Sequence, residues 1–328
     1  MSSRPVARHT GMTDEATFAA QLEPHRRELQ VHCYRMLGSF DEAEDLVQET
    51  FLRAWRKRAS YEGRATVRAW LYRIATNACL DLLARNKRRV APSAAGANPS
   101  EVPWLEPVPD RLLDEVAAGG VDPEEAIVAK ETIELAFLVA IQHLPPRQRA
   151  ALILRDVLGW SAKETAELLE STVASANSAL QRARAGLEQQ LPERRSAWAP
   201  DADPSEQERA LLARFMDAHE RADASGLADM LREDVRVTMP PFPMVYDGID
   251  ALRPLWEHAF DRDAHGDWRL VPTRVNRQPA AASYLRRPGD TEFRAFKLDV
   301  LRVEGDVIAE ITTFGEQPFA RLGLPPTL

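Results

Sequence analysis

The spacing of apolar residues changes along the chain, and this change constrains the fold more than any other feature of the sequence. From Phe18 to about Lys87, and again from 122 to 191, apolar residues recur every three or four positions, as in amphipathic helices. Near the end, FKLDVLRVEGDVIAEI alternates instead, and Gly305 falls between its two runs. The sequence therefore predicts two helical domains followed by an α+β domain, with a curved antiparallel sheet cupped by helices.

Stretches rich in Pro, Ala and Gly separate these segments, and a chain of 328 residues is long enough for several cores. A short docked piece is predicted within the first linker, from Trp104 to Leu113. The predicted organisation is a disordered N-terminus at 1–17, a helical domain at 18–90, an acidic and Pro-rich linker at 91–121, a second helical domain at 122–191, a linker at 192–204 and the α+β domain at 205–328.

Charge is distributed unevenly. The net charge of −8 argues against general polyanion binding, but from Arg53 to Arg89 only Glu62 and Asp81 interrupt a strongly basic stretch. The two cysteines have no metal-ligand spacing, and no apolar run reaches the length of a membrane span. We expect a cytoplasmic protein without a metal or another cofactor.

The segment from Phe40 to Arg58 predicts a helix with two electrostatic ends. Ser39 and Glu42 have the spacing of a capping box, and acids fill the first turn. Capping and solvation account for those acids, but they leave an outward strip of Gln48, Glu49 and Leu52 and the basic surplus beyond it unexplained. Two partners of opposite character would explain both. The inner seam consists of Ala43, Val47, Thr50, Phe51, Ala54 and Trp55.

A second pattern predicts a helix-turn-helix. One helix runs from Arg147 to Leu158, a second begins with a capping box at Ser161, and a third restarts after Ser171 or Thr172. Asn and Gln can pair with adenine, and Arg can read guanine or hold phosphate. An ordinary three-helix bundle with a polar face is the alternative. The inner stripe is predicted as Val173, Ala176, Leu180, Ala183 and Leu187, and the outer face as Ser175, Asn177, Ser178, Gln181, Arg182 and Arg184.

These motifs resemble bacterial sigma factors of the extracytoplasmic function (ECF) class. EAEDLVQETFLRAW is similar to their region 2.2, YEGRATVRAWLYRIATNACLD to regions 2.3 and 2.4, and LPPRQRAALILRDVLGWSAKETAELLESTVASANSALQRAR to region 4. The resemblance implies two all-α sigma domains that bind RNA polymerase core, at the β′ clamp coiled coil and the β flap, and promoter DNA.

The resemblance also implies three sets of site residues. Promoter melting requires capture of unstacked bases beside phosphate-binding cations, although Trp70 fits core packing equally well. The core-binding set is Asp45, Gln48, Glu49 and Leu52. The minus-ten set is Tyr61, Arg64, Thr66, Arg68, Trp70, Arg73, Asn77, Arg85, Lys87 and Arg88. The minus-thirty-five set, in the helix-turn-helix at 161–184, is Ser161, Ser171, Thr172, Ser175, Asn177, Ser178, Gln181, Arg182 and Arg184.

The C-terminal segment resembles the SnoaL-like domain, an α+β cone with a pocket. Some relatives of that fold use a pocket Asp or His as acid or base. Here surface or structural roles are preferred, and the domain is expected to be a non-enzymatic regulator that answers to a small ligand or a partner. The acid-base candidates are Asp217, His219, Asp247, His258 and Asp299, and Met239, Phe242, Met244 and Trp256 are expected in the pocket or the core.

Two alternatives remain at the level of sequence. The chain could be a helix-turn-helix regulator fused to a small-molecule-binding domain, or a targeting module fused to an enzyme. The helix at Phe40 to Arg58 argues against a plain regulator, which has no need of a polymerase-docking element. A separate hypothesis concerns the acidic linker, which is predicted to thread toward the polymerase active-site channel with Trp104, Glu106, Asp110, Asp114 and Glu115.

Overall fold

The computed structural model describes residues 15–61, 63, 65–86, 102–117, 133–190 and 205–328. The first helix begins at Glu15, inside the segment predicted as disordered, and residues 1–14 and 192–204 lie outside the described part. The α-helices are α1 (Glu15–Leu22), α2 (Arg26–Leu37), α3 (Phe40–Lys57), α4 (Val67–Arg85), α5 (Asp110–Ala117), α6 (Leu135–Gln142), α7 (Pro146–Leu152), α8 (Ala162–Leu168), α9 (Val173–Gln190), α10 (Glu206–Glu220), α11 (Ala224–Ala228), α12 (Ile249–Ala259), α13 (Arg262–His265) and α14 (Phe319–Leu322).

Six strands form one sheet within the described residues. They are β1 (Leu231–Thr238), β2 (Val245–Asp247), β3 (Asp267–Val275), β4 (Gln278–Arg286), β5 (Arg294–Glu304) and β6 (Val307–Gly315).

The chain forms two compact units, one from Met1–Lys87 with Pro146–Gln181, the other from Arg88–Pro145 with Arg182–Leu328. No helix among the described residues combines the length and apolar character that a membrane crossing requires.

The first unit is helical and has its core between α2, α3 and α4. α3 begins as the sequence predicts, because the Ser39 side chain accepts a hydrogen bond from the Glu42 backbone N–H at 3.3 Å. On its inner seam Ala43, Val47 and Ala54 are buried. The opposite face of α3 is therefore exposed to solvent.

The predicted helix-turn-helix is present. α7 continues as one π-helical turn (Ile153–Val157), and Ser161 and Glu164 form the capping box of α8. Thr172 caps α9, because its hydroxyl oxygen accepts from the Ser175 N–H at 3.1 Å. Val173 was wrongly placed on the inner stripe: its side chain is 44% exposed, because the first turn of α9 projects beyond the packed part of the helix.

The sheet of the second unit has the strand order β2-β1-β6-β5-β4-β3. The β5–β6 hairpin turns at Gly305 as predicted. A wholly antiparallel sheet was wrong, since β1 pairs with β6 in parallel. Alternation along a strand indicates which face is buried but not which distant strand lies beside it. Helices α10 and α12 close one face over a core that includes Phe215, Val235, Leu252, Leu301 and Ile308.

Residues 102–117 also belong to the second unit. Val102, Leu105 and Val108 are buried, and Pro109 forms an isolated antiparallel bridge with Val275 at the end of β3. α5 follows directly. The part of the predicted linker that the structure describes therefore packs on the α+β sheet, and its threading toward a polymerase channel stays a prediction.

Candidate functional site

The outward face of α3 carries the four predicted core-binding residues. Asp45 and Gln48 are exposed, and the side chain of Leu52 is 51% exposed. Glu49 is partly exposed and accepts from the Arg53 Nε–H at 2.8 Å. Positions 45, 48, 49 and 52 follow helical spacing, so one face presents an apolar side chain among polar ones.

Trp70 is the clearest correction among the predicted DNA-binding residues. Its side chain is 5% exposed and packs against Tyr61, with ring centroids 4.9 Å apart, and against Phe18 at 6.5 Å. The helical period of α4 points Trp70 into the core. Trp70 therefore supports the segment that contains Tyr61, but it cannot receive an unstacked base without rearrangement. Tyr61 is tied to the loop by donating its hydroxyl to the Ala65 carbonyl at 2.5 Å.

The other predicted minus-ten residues within the described part lie at or near the surface. Thr66 caps α4 by accepting from the Ala69 N–H at 3.1 Å, and Arg68 is bound to Glu28 at 2.7 Å. Arg73 and Arg85 are exposed, and Asn77 is partly buried. Neither of those two arginines forms an ion pair with a described residue, which leaves both available for phosphates. Arg64, Lys87 and Arg88 lie outside the described residues.

The outer face of α9 matches its prediction. Ala176, Leu180 and Ala183 are buried, which fixes the rotation of the helix. That rotation leaves the whole predicted reading face exposed, namely Ser175, Asn177, Ser178, Gln181, Arg182 and Arg184. Ser161, exposed, and Ser171, partly exposed, lie at the turns that precede α8 and α9.

A cavity of about 520 Å³ opens in the α+β part of the second unit. Of the predicted acid-base residues, His219, His258 and Asp299 line it. Asp217 and Asp247 lie outside its lining and pair with arginines on the surface. The apolar residues predicted for the pocket or core all line the cavity, namely Met239, Phe242, Met244 and Trp256.

The cavity also contains residues that the sequence analysis missed. Lys297 Nζ donates to Asp299 Oδ2 at 2.6 Å, and Thr313 Oγ1 donates to Asp299 Oδ1 at 2.7 Å. Burial and the nearby Lys297 charge hold the pKa of His219 well below its ordinary value, so this ring is neutral. The signal in the sequence was the alternation along β5, which puts positions 297 and 299 on one face.

The two-residue turn between β3 and β4 forms a second polar cluster. Asn276, fully buried with φ +54°, accepts from the Val108 N–H at 2.8 Å through Oδ1. Its Nδ2 donates to the Ile133 carbonyl at 2.7 Å. Gln278 Oε1 accepts from the Leu135 N–H at 3.0 Å, at the start of α6. This turn therefore holds both the 102–117 segment and the residues that begin α6.

Acidic residues of α5 complete this cluster. Asp110 Oδ1 accepts from the Arg277 N–H at 2.8 Å, and Asp114 accepts from the Arg277 guanidinium. Burial raises the pKa of Asp110, because desolvation outweighs the Arg277 N–H bond and the nearby arginines. This cluster is not predicted from the sequence, although Asn in a two-residue turn tolerates the left-handed conformation found here.

Comparison with known families agrees with these parts of the structure. The model for Sigma-70 region 2 matches residues 22–89, the one for Sigma-70 region 4 matches 134–187, and the one for the SnoaL-like domain matches 212–311. The chain is thus a sigma-70-type transcription initiation protein with an additional α+β domain.

Full-length relatives define the family. The chain is 41% identical over 322 residues to the ECF RNA polymerase sigma factor SigG of Mycobacterium tuberculosis, covering 95% of this chain and 85% of that protein. It is 32% identical over 178 residues to ECF sigma factor SigW of Bacillus subtilis, covering 54% and 90%. The crystal structure of M. tuberculosis SigJ shares the fold, with a TM-score of 0.60 at 22% identity over 94% of this chain and 99% of SigJ.

The chain therefore belongs to the ECF RNA polymerase sigma factors. As a member of this family it binds polymerase core and directs it to promoters.

Proposed function

We propose that α3 docks on the β′ clamp coiled coil of core polymerase through Asp45, Gln48, Glu49 and Leu52. The observation that supports this assignment is Leu52, which is 51% exposed on a helix whose opposite face is buried. An exposed apolar side chain ringed by polar groups is typical of the centre of a protein interface. The acids around Leu52 suit a basic partner surface.

Replacing Leu52 with Ala tests this assignment. Because the side chain is half exposed, stability should change little, while core affinity should fall about tenfold on loss of a central contact. The matched control is Val173→Ala, which truncates a similarly exposed apolar side chain on α9. Affinity of the full chain for purified core is measured by calorimetry. Equal affinities for both variants and the wild type would contradict the docking face.

Promoter contacts divide between the two helical domains. We assign phosphate binding at the minus-ten element to Arg73 and Arg85, which are exposed on α4. The exposed face of α9 reads the minus-thirty-five element, where Asn177 and Gln181 have the bidentate chemistry for adenine and Arg182 can hold guanine or phosphate. Region 4 also meets the polymerase β flap. Binding should weaken steeply with salt.

The C-terminal domain regulates the sigma domains through the 102–117 segment. This segment connects region 2 to region 4, and the β3–β4 turn holds it by the buried Asn276 side chain. A held connection limits how far the two promoter-reading domains can separate, so its release should favour promoter binding. The domain acts in this proposal as a binding module and not as an enzyme.

Replacing Asn276 with Gly tests this regulation. Glycine accepts the left-handed backbone, but the change leaves the Val108 N–H and the Ile133 carbonyl without their buried partner, at a cost of about 1–3 kcal/mol each. We expect at least a twofold rise in transcription by purified core polymerase on a pool of genomic fragments. Asp306→Gly, in the exposed β5–β6 turn, is the control. Unchanged output of N276G would refute the proposed regulation.

A further inference from the structure

The carboxylate of Glu28, on α2, accepts hydrogen bonds from three side chains beside the start of α4. Arg68 donates its Nε–H to Glu28 Oε2 at 2.7 Å, and the Tyr72 hydroxyl donates to the same oxygen at 3.2 Å. His25 Nδ1 lies 2.6 Å from Glu28 Oε1, and because a carboxylate oxygen can only accept, this ring nitrogen is also a donor. Glu28 therefore joins α2 to α4 at one of the residues predicted for minus-ten DNA.

Two contacts fix the direction of the Arg68 side chain. Besides the bond to Glu28, its guanidinium lies over the Tyr72 ring, with 5.0 Å between Arg68 Cζ and the ring centroid. Tyr72 is 1% exposed, and burial raises the pKa of its hydroxyl, so this group keeps its proton and remains a donor. A guanidinium that is bound to a carboxylate and stacked on a buried ring has few orientations left.

The bond to Glu28 uses only one nitrogen of the guanidinium. Arg68 Nη1 and Nη2 form no hydrogen bond with any described residue, and the side chain is 46% exposed. These two nitrogens carry four N–H donors, and their planar fork matches two oxygens of one phosphate. If Glu28 masked Arg68 from DNA, its oxygens would occupy this fork.

The order of Arg68 in the free protein favours its binding to DNA. A mobile arginine must lose the freedom of several rotatable bonds when it contacts a phosphate, and this loss reduces affinity. An arginine that is already ordered loses less, so more of the contact energy appears as binding. Glu28 is only 19% exposed, so its own negative charge has little contact with the solvent side where the DNA would lie.

We propose that Glu28 is a positioning residue, which holds Arg68 so that its Nη fork faces a phosphate of the minus-ten element. The inference rests on the proposed promoter contacts of α4, and it adds Arg68 to the two phosphate-binding residues Arg73 and Arg85. Glu28 contacts no DNA in this arrangement and acts only through Arg68. Because the contact is to the backbone, it strengthens binding without selecting a base.

Three acid variants separate positioning from charge. Glu28→Gln and Glu28→Ala remove the same negative charge, but only the amide oxygen of the first can still accept from Arg68 Nε. Glu23→Ala is the matched control, because Glu23 is an exposed acid nearby that pairs with Arg26 instead, at 2.7 Å.

The measurement is promoter affinity of the holoenzyme, assembled from core polymerase and the full chain. The labelled fragment is one that the wild-type holoenzyme selects from a pool of genomic fragments. E28A should bind about fivefold more weakly than E28Q, the effect of ordering one long side chain on binding, whereas E28Q and E23A should agree within about twofold. Equal affinities of E28Q and E28A would overturn the proposal.

The same changes in an Arg68→Met chain show whether Glu28 acts through Arg68. Without the guanidinium, Glu28→Gln and Glu28→Ala should give equal promoter affinities. General damage to the fold would persist in this background, so a remaining difference would overturn the proposal. Arg68→Met alone should reduce the slope of log affinity against log salt by about one, as expected on loss of one phosphate contact. An unchanged slope would also overturn it.

Arg73→Met separates this inference from the proposed promoter contacts. If R73M lowers promoter affinity and the salt slope while E28Q and E28A do not differ, the positioning role fails and the proposed contact of Arg73 stands. If R73M changes neither while E28A and R68M behave as expected, the assignment of Arg73 fails and the positioning of Arg68 by Glu28 stands.

Discussion

One buried histidine makes the stability of the first unit depend on pH. His32 is fully buried in α2, and its Nε2 shares a hydrogen bond with Thr76 Oγ1 at 2.9 Å. Burial, together with the positive charges of Arg35 and Arg68, lowers its pKa to about 3. The folded protein therefore keeps this imidazole neutral at pH values where an unfolded chain, with a pKa of about 6.5, takes up a proton.

This difference predicts acid sensitivity. Stability from His32 is fully present above pH 6.5, and it falls as pH drops below that value, because only the unfolded state then binds the proton. The loss between pH 7.5 and 5.5 should be about 1.4 kcal/mol from this residue alone. His32→Gln, which retains a polar partner for Thr76 but cannot titrate, should reduce the loss by that amount. Urea unfolding of the full chain at both pH values measures it.

His258→Gln is the control for this prediction. His258 is an exposed residue outside the first unit, so its replacement should leave intact the loss of stability assigned to His32. Parallel pH curves for the His32 variant and the wild type would show that His32 takes up its proton equally in both states, contrary to the geometry.

At the scale of the element, one hydroxyl sets where the reading helix begins. Thr172 Oγ1 accepts the Ser175 N–H at 3.1 Å, whereas the hydroxyl of Ser171 only approaches the Thr172 carbonyl at 3.5 Å. Loss of an N-cap costs about 1 kcal/mol. Thr172→Ala should therefore lower the free energy of unfolding by about that amount and loosen the first turn, which carries Ser175.

The same helix offers a close control. Ser171→Ala should cost no more than a few tenths of a kcal/mol, because its hydroxyl satisfies no orphan donor of α9. Denaturation of both variants checks the stability, and binding to minus-thirty-five DNA checks the effect on reading. A larger destabilisation from the Ser171 change than from the Thr172 change would reverse the assignment of the cap.

The pattern of neighbouring residues predicts those features, such as helix caps and tight turns, that only a few adjacent residues determine. The caps at Ser39 and Ser161 and the turn at Gly305 needed only a few adjacent residues. The parallel pairing of β1 with β6 depends on strands far apart in the chain, and alternation along one strand contains no information about such a partner. For the same reason, the sequence predicted a docked piece from Trp104 to Leu113 but did not predict that the β3–β4 turn holds it.

The candidate sites follow the same division. Exposure on α3 and α9 could be predicted from helical period, because burial of one face determines the other. Trp70 shows where residue type left two roles open: an aromatic beside cations suited base capture as well as core packing, and the structure places its side chain in the core. Asn276 and Lys297 gained their significance only through tertiary contacts, with Val108 and Asp299 respectively.

At the scale of the whole molecule, the first unit combines elements that must separate on DNA. α7 of the helix-turn-helix packs beside α2 and α4, where the buried Arg149 donates to the Met36 carbonyl and the rings of Tyr72 and Trp160 lie 5.4 Å apart. A compact body of about 120 residues is roughly 35 Å across. The names of the minus-ten and minus-thirty-five elements place them about 25 base pairs apart, which is about 85 Å of duplex at about 3.4 Å per base pair. The packed unit must therefore open before both elements are bound.

Two arginines of α7 distinguish opening from local damage. Arg149 forms its bond across to α2, whereas Arg147 donates to the Leu169 carbonyl within the helix-turn-helix, at 2.6 Å. Arg149→Met should weaken the packing of α7 on α2 by removing a buried charged donor, an effect of about 1–3 kcal/mol. Arg147→Met removes the same charge from the same helix without touching that interface.

Fluorescence energy transfer measures the opening directly. Cysteines introduced at the exposed positions Gln48 and Asn177 carry the dyes, since both native cysteines are buried. We expect high transfer in the free wild type and in the Arg147 variant, and a distinct low-transfer population in the Arg149 variant. A shift of 1–3 kcal/mol corresponds to about a 5- to 150-fold change in the open-to-closed ratio. Equal transfer in the Arg149 and Arg147 variants would show that the contact with Met36 does not hold the two promoter-reading domains together.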